Sequence, residues 1–264
     1  MAFRTVLLDE LTIDDESPLK AVGLYGRLKQ ALQRSQYRFW TPVPGSTGNW
    51  DRVLFLNLTY WSGARAGDFL CNDHIPADVV AHVAWHHLAG RQLCSQPGAA
   101  QAPASALALF FAESIASSFD LYLVGRLLVS APDSDFITSQ MPIMAECSEA
   151  AGLPPESFAE LLEQVSRDPE RAFEDMRQLL LDAATGLLSC ADGAAADSVL
   201  EGFAGHRFES LLHHYQLSNW ILYARAHAAP PSASDTAIAD LDATLRAAPI
   251  ALDWLADHWL ADDA

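Results

Sequence analysis

PADVVAHVAWHHLAG, residues 76–90, is the stretch on which the reading of this chain turns. Its apolar residues run almost unbroken, and Val79, His82, His86 and Ala89 recur at the spacing that lines one side of a helix. On such a helix His82 and His86 stand one turn apart on one face, pointing inward with their apolar neighbours. A single divalent metal can take both imidazoles there. His87 is rotated by about 100° from His86 and cannot share that geometry, so it borders the site, lining a pocket or facing water. Asp73 and Pro76 announce the helix, and Gly90 sits where it could weaken or end.

The next apolar stretch, Ala104 to Ala131, is long enough to cross a bilayer. It nevertheless carries Glu113, Asp120 and Arg126, which are costly in lipid, and reads as a buried helix. Glu113 and Asp120 are seven apart and share a face, about two turns from one another. Ala116 and Ser117 between them would let another helix approach closely. A buried carboxylate must be paired, protonated or bound to metal. Glu113 therefore either forms a salt bridge or completes a two-histidine, one-carboxylate set with His82 and His86. Asp120 either pairs across helices or hydrogen-bonds the far nitrogen of a ligating histidine.

Working outward, Thr5–Leu8 is a short strand in an exposed lead-in. Ser17 caps a helix over about 18–35, and 37–50 is an aromatic loop punctuated by Pro42, Pro44, Gly45 and Gly48. NWDRVLFLNLTYW is helix or buried strand, with helix favoured by its few β-branched residues. SQPGAAQAP, residues 95–103, is a loop of small residues. Ile137–Ala151, Pro155–Ser166, Pro169–Ser189, Ala194–Phe203, Asp240–Ala247 and Ile250–Leu260 are helical, and His206–His227 forms one long helix. In that helix His206, His213, Trp220 and His227 recur every seven residues, while His214 and Arg225 share another face. No repeat or βαβ alternation is present. The expectation is a mainly α fold over 1–264 as one domain, built around a two-helix metal-binding core. Residues 1–131 would carry the metal site and 132–264 a helical C-terminal half.

With 264 residues, 50% of them hydrophobic, the chain can bury a sizeable core. Its formal charge of −18 disfavours nucleic acid and anionic membranes as partners. The N-terminus lacks the long apolar region and cleavage site of a signal peptide. Cys71, Cys94, Cys147 and Cys190 form no CxxC pair and read as free buried thiols, which points to a reducing, cytoplasmic setting. There is no phosphate-binding glycine loop, GxSxG elbow or zinc ribbon.

HVAWH followed by AESIASSFD resembles the gluzincin peptidases over about fifty residues. In that family HExxH supplies two zinc ligands and a general base, and a downstream helix supplies a glutamate ligand. The resemblance implies His82, His86 and Glu113 as ligands. It departs at Val83, which stands where the general-base glutamate belongs, so ordinary peptidase activity is not expected. The same residues are similar to those of the HExxH-type peptide hydroxylases that use iron and 2-oxoglutarate, again apart from Val83. Two histidines and a carboxylate are also the ligand set of non-haem Fe(II) oxygenases, whose chemistry needs no base beside the metal. Trp85, Phe110 and Phe111 could keep such a site dry. A 2-oxoglutarate cosubstrate would need a cation. Arg126 falls on the wrong side of its helix, and Arg225 is the better candidate, with His213 and His214 as further pocket residues.

Three functions follow. The first is Fe(II)-dependent oxidation or hydroxylation of a small molecule or peptide side chain. The second is a degenerate zincin-like zinc protein, hydrolytic or structural. The third is a metal-free acidic helical module that binds a basic partner, in which His82 and His86 touch only protein. No residue is assigned the chemical step itself.

Overall fold

The computed structural model describes residues 3–43, 68–93, 104–231 and 233–261. It is mainly helical, and the chain divides into two compact units that meet in sequence between Pro103 and Ala104. His82 and His86 belong to the first unit and Glu113 to the second.

In the first unit, β1 (Phe3–Leu7) pairs antiparallel with β3 (Arg38–Pro42), and β3 pairs in parallel with β4 (Asp68–Phe69). A second small sheet joins β2 (Thr12–Asp14) and β5 (His74–Pro76) in parallel. Val6 and Phe39, opposite one another in the β1–β3 ladder, are both buried and fix its register. Three helices complete the unit: α1 (Glu16–Lys20), α2 (Gly23–Arg34) and α3 (Ala77–Leu93). The helix expected over 18–35 is thus two helices, interrupted at Ala21-Val22, where Val22 is extended and N-caps α2. Tyr25, Leu28, Ala31 and Leu32 form the buried stripe of α2, which packs on α3. Glu16 ties this corner together: its carboxylate accepts from the Tyr25 hydroxyl at 3.0 Å and from the Lys29 and Lys20 ammonium groups at 2.5 and 2.7 Å.

Two further expectations need correction here. Residues 38–42 are not loop but a central strand. Their alternation of Phe39 and Thr41 inward is what a half-buried strand requires, and it was hidden by the neighbouring prolines and glycines. The helix of residues 76–90 runs on to Leu93, because an interior glycine costs only about 1 kcal/mol and does not by itself stop a buried helix. NWDRVLFLNLTYW and the 95–103 loop lie outside the described residues.

The second unit is built on α4 (Ala106–Ser130). Ser105 caps it, accepting from the Ala108 amide at 3.2 Å. Nearly every side chain of α4 from Ala108 to Leu127 is buried, as expected of a helix apolar all round. It is long and apolar enough to cross a membrane by composition, yet it is the core helix here. Around it stand α5 (Asp135–Ala150), α6 (Pro155–Arg167), α7 (Pro169–Leu188) and α10 (Ala233–Ala247), with α7 as its main partner. Gly125 makes room: a Cβ there would lie 2.7 Å from the Val165 carbonyl oxygen and 2.8 Å from the Pro169 side chain. Helices α8 (Gly193–Glu201), α9 (Leu217–His227) and α11 (Ala251–Trp259) also pack on α7.

The single long helix expected over His206–His227 does not form. Turns lead into a 3₁₀ segment, Glu209–Tyr215, and Gln216 adopts a left-handed backbone (φ 49°) before α9 begins. The Asn219 amide donates to the Gln216 side chain at 2.7 Å and helps to hold that corner. The seven-residue histidine stripe therefore has no common helix face.

Arg177 of α7 is wholly buried. It donates through Nε and Nη2 to Glu174 (2.8 and 2.7 Å) and through Nη1 to Asp242 of α10 (2.7 Å), and its guanidinium lies 5.7 Å from the Phe111 ring centroid. Asp242 also accepts from Arg246, which in turn pairs with Asp182. This network joins α7 to α10.

Candidate metal centre

Within the first unit, α3 places His82 and His86 as the sequence spacing requires. His86 is only 3% exposed and His82 is half-buried. Their Nε2 atoms are 3.1 Å apart and their ring centroids 4.8 Å. Two nitrogens at that distance cannot both carry protons. They share one N–H···N hydrogen bond, or both turn lone pairs to a cation. At metal–nitrogen distances of about 2.0–2.1 Å, a 3.1 Å separation subtends roughly 95–100° at an ion, an angle between octahedral and tetrahedral. The pair has the geometry of two adjacent ligands. Val83, between them in sequence, is 3% exposed and offers no proton acceptor.

Glu113 lies on α4 of the second unit, half-buried among the buried Ala112, Ser114, Ile115 and Ala116. His82 and His86 each offer an imidazole nitrogen and Glu113 a carboxylate oxygen, the three ligand types that the sequence pattern calls for.

His87 turns away to Tyr37 of the first unit, with ring centroids 5.1 Å apart and near-perpendicular planes. Its Nε2 is buried without a hydrogen-bond partner. Burial, then the nearby Arg91 charge, lowers its pKa to about 4, so it is neutral near pH 7. Tyr37, assigned to a loop by its sequence context, stands immediately before β3. Its hydroxyl donates to the buried Asp68 carboxylate of β4 at 3.1 Å.

In the second unit, Asp120 stands beside His214 and Tyr215, bearing electrostatically on both. Burial lowers the His214 pKa against the opposing pull of Asp120, and burial followed by that same carboxylate raises the Tyr215 pKa. The His214 ring meets Tyr215 edge-on at 4.9 Å, with its Nδ1 buried and unpartnered. His213 faces solvent. Arg225 is exposed and donates to the carbonyls of Leu188 and Cys190 at 3.1 and 2.6 Å, closing the C-terminal end of α7. Arg126 is paired with Glu170 and with the Tyr122 hydroxyl. Trp85, Phe110 and Phe111 are all buried, and the Phe111 ring lies beneath Arg177.

The thiols of Cys71, Cys147 and Cys190 are free. Contrary to expectation, none of the three is fully buried: Cys71 is exposed, in the turn between β4 and β5, and Cys147 and Cys190 are half-buried. Cys94 lies outside the described residues. Sequence reasoning missed the Tyr37–Asp68 pair and the Arg177 network. The latter had a signal: Arg177 falls at helical spacing on the apolar stripe of Phe173, Leu180 and Ala184, with Glu174 three residues before it. No family model, curated protein or solved structure matches the chain, so the likeness to gluzincins and to the iron hydroxylases rests on His82, His86, Glu113 and their neighbours alone.

Proposed function

We propose that the protein is a mononuclear metal-dependent enzyme whose ion is held by His82, His86 and Glu113, and that it oxidises or hydroxylates a small molecule or peptide side chain with Fe(II). The observation that carries this reading is the 3.1 Å approach of two Nε2 atoms on a buried helix face. Val83 directs it toward oxidation. Hydrolysis by a metal-bound water needs a nearby proton acceptor, and an apolar side chain occupies that place. A two-histidine, one-carboxylate set leaves positions open for dioxygen and substrate. His87, next to His86 on α3, would tune the surroundings without ligating, whereas Asp120, His213, His214 and Arg225 belong to the second unit, where Asp120 stands by His214 and Tyr215 and Arg225 closes the end of α7. The acidic surface favours neutral or basic substrates over nucleic acid or anionic membranes, and the free thiols suit a cytoplasmic setting.

Zinc is the second reading, because the same nitrogen separation also suits a near-tetrahedral ion. The test is oxygen uptake by Fe(II)-loaded protein, with and without 2-oxoglutarate, beside zinc retention through dialysis. Oxygen uptake that requires Fe(II) and is lost in His86→Ala supports the oxygenase. Retained stoichiometric zinc without oxygen uptake replaces it with a zinc protein. Failure to bind either ion leaves an N–H···N pair in an acidic module for a basic partner.

A further inference from the structure

We propose that Tyr37 is a one-electron redox site, with Asp68 as the acceptor of its proton. The inference rests on the oxidative reading above for its physiological oxidant, but its geometry lies wholly within the first unit. The Tyr37 hydroxyl and the Asp68 carboxylate are both buried, each 9% exposed, and are joined by a 3.1 Å hydrogen bond. A phenol that loses an electron becomes a very strong acid. A carboxylate already holding the hydrogen bond can take that proton without water or rearrangement. On oxidation the Tyr37 O–H bond breaks and an O–H bond forms on Asp68. The tyrosine is oxidised by one electron, and in the oxidative reading a dioxygen-derived oxidant, which a metal held by His82, His86 and Glu113 would supply, would be reduced by one. The Tyr37 ring meets His87, the residue that follows His86 on α3, at 5.1 Å. Burial, then the Asp68 charge, raises the phenol pKa, so phenolate is not the species that gives up the electron.

Tyr25 provides an internal comparison. It is also buried and also donates to a carboxylate, Glu16, at 3.0 Å. Glu16, however, is held by Lys20 and Lys29, which make it a weak base with a pKa of about 2 despite the opposing effect of burial. Tyr25 therefore donates to a carboxylate that two ammonium groups already hold, a weaker proton acceptor than an ordinary carboxylate.

Two oxidants test the assignment. The first is dioxygen added to Fe(II)-loaded protein. The second is ruthenium tris-bipyridyl flashed with persulfate in metal-free protein, which needs no metal site. Both are freeze-quenched and read by electron paramagnetic resonance. A tyrosyl signal is expected that falls at least tenfold in Tyr37→Phe, at least threefold in Asp68→Asn and not in Tyr25→Phe. Incorporated 3-fluorotyrosine, which leaves the fold intact, should alter the hyperfine pattern of that same signal. A signal in the ruthenium arm alone keeps the redox site and rejects dioxygen activation at the metal. No tyrosyl signal in the ruthenium arm, or one that Tyr37→Phe leaves unchanged, overturns the proposal.

Discussion

Replacing Arg177 with methionine should unfold the second unit more readily than any surface change, and the structure says how much. The guanidinium is fully buried and makes three hydrogen bonds of 2.7–2.8 Å to Glu174 and Asp242. Methionine fills most of the volume over Phe111, so the loss is chiefly electrostatic. Asp242 keeps Arg246 as a partner, whereas Glu174, 7% exposed, is left with the Gln178 amide at 2.8 Å. Removing one side of a buried ion pair costs about 3–5 kcal/mol, most of it the penalty on the stranded charge. For a unit of this size each kcal/mol moves the melting temperature by about 2–4 °C, so Tm should fall by roughly 6–20 °C. The double variant Glu174→Gln with Arg177→Met removes the stranded charge and should regain more than half of the loss. Urea unfolding followed by circular dichroism on the two single variants and the double variant gives the coupling energy. A loss below about 1 kcal/mol in Arg177→Met, or a double variant no more stable than that single, would refute the account of Glu174 as an uncompensated buried charge.

Other outcomes follow from the same kind of reading. Glu16 has a folded pKa of about 2, because hydrogen bonds from Lys20, Lys29 and Tyr25 outweigh the opposing effect of burial. Its ordinary value of 4.5 lies above this, so its stabilisation is complete above pH 4.5 and is lost as pH falls toward 2. The full shift corresponds to roughly 3 kcal/mol, but Lys20 is largely exposed and its share is screened, leaving about 1–2 kcal/mol. Glu16→Gln should cost that much at pH 7 and almost nothing near pH 2; a pH-independent difference in urea unfolding would contradict the ion-pair assignment. Gly125→Ala should destabilise by about 1–3 kcal/mol through overpacking against the Val165 carbonyl and Pro169, and an unchanged thermal midpoint would mean that the helices separate freely there.

The helical character of the chain was legible because its longest segments carry their own punctuation. Ser105 caps α4, and Ala131 to Ser134 break the chain before α5. Pro155 and Pro169 open α6 and α7 at positions where a missing amide costs nothing. The His82–His86 approach was legible for the same reason, since four residues on a helix fix a geometry. What could not be read locally depended on partners far along the chain. β3 is a strand because Val6 and Phe39 bury one another's face, and its sequence neighbours Pro42 and Pro44 argue the other way. The break at Gln216 goes against a residue type that seldom takes positive φ, so helical periodicity ran straight through it. Tyr37 and Asp68 are separated by 31 positions, and only the β3–β4 pairing brings them together.

The central claim is metal binding by His82, His86 and Glu113, and the most direct measurement is the metal content of protein purified without chelator. It is completed by titration with Fe(II) and with Zn(II), because iron is readily lost in purification. The account predicts one ion per chain at saturation, with stoichiometric binding abolished in His82→Ala, His86→Ala and Glu113→Ala while their circular dichroism stays that of the parent. Saturation at 100 times the Kd should also raise stability by about 2.7 kcal/mol in the parent and not in the variants. A parent protein that binds neither ion, or variants that bind as the parent does, would contradict it.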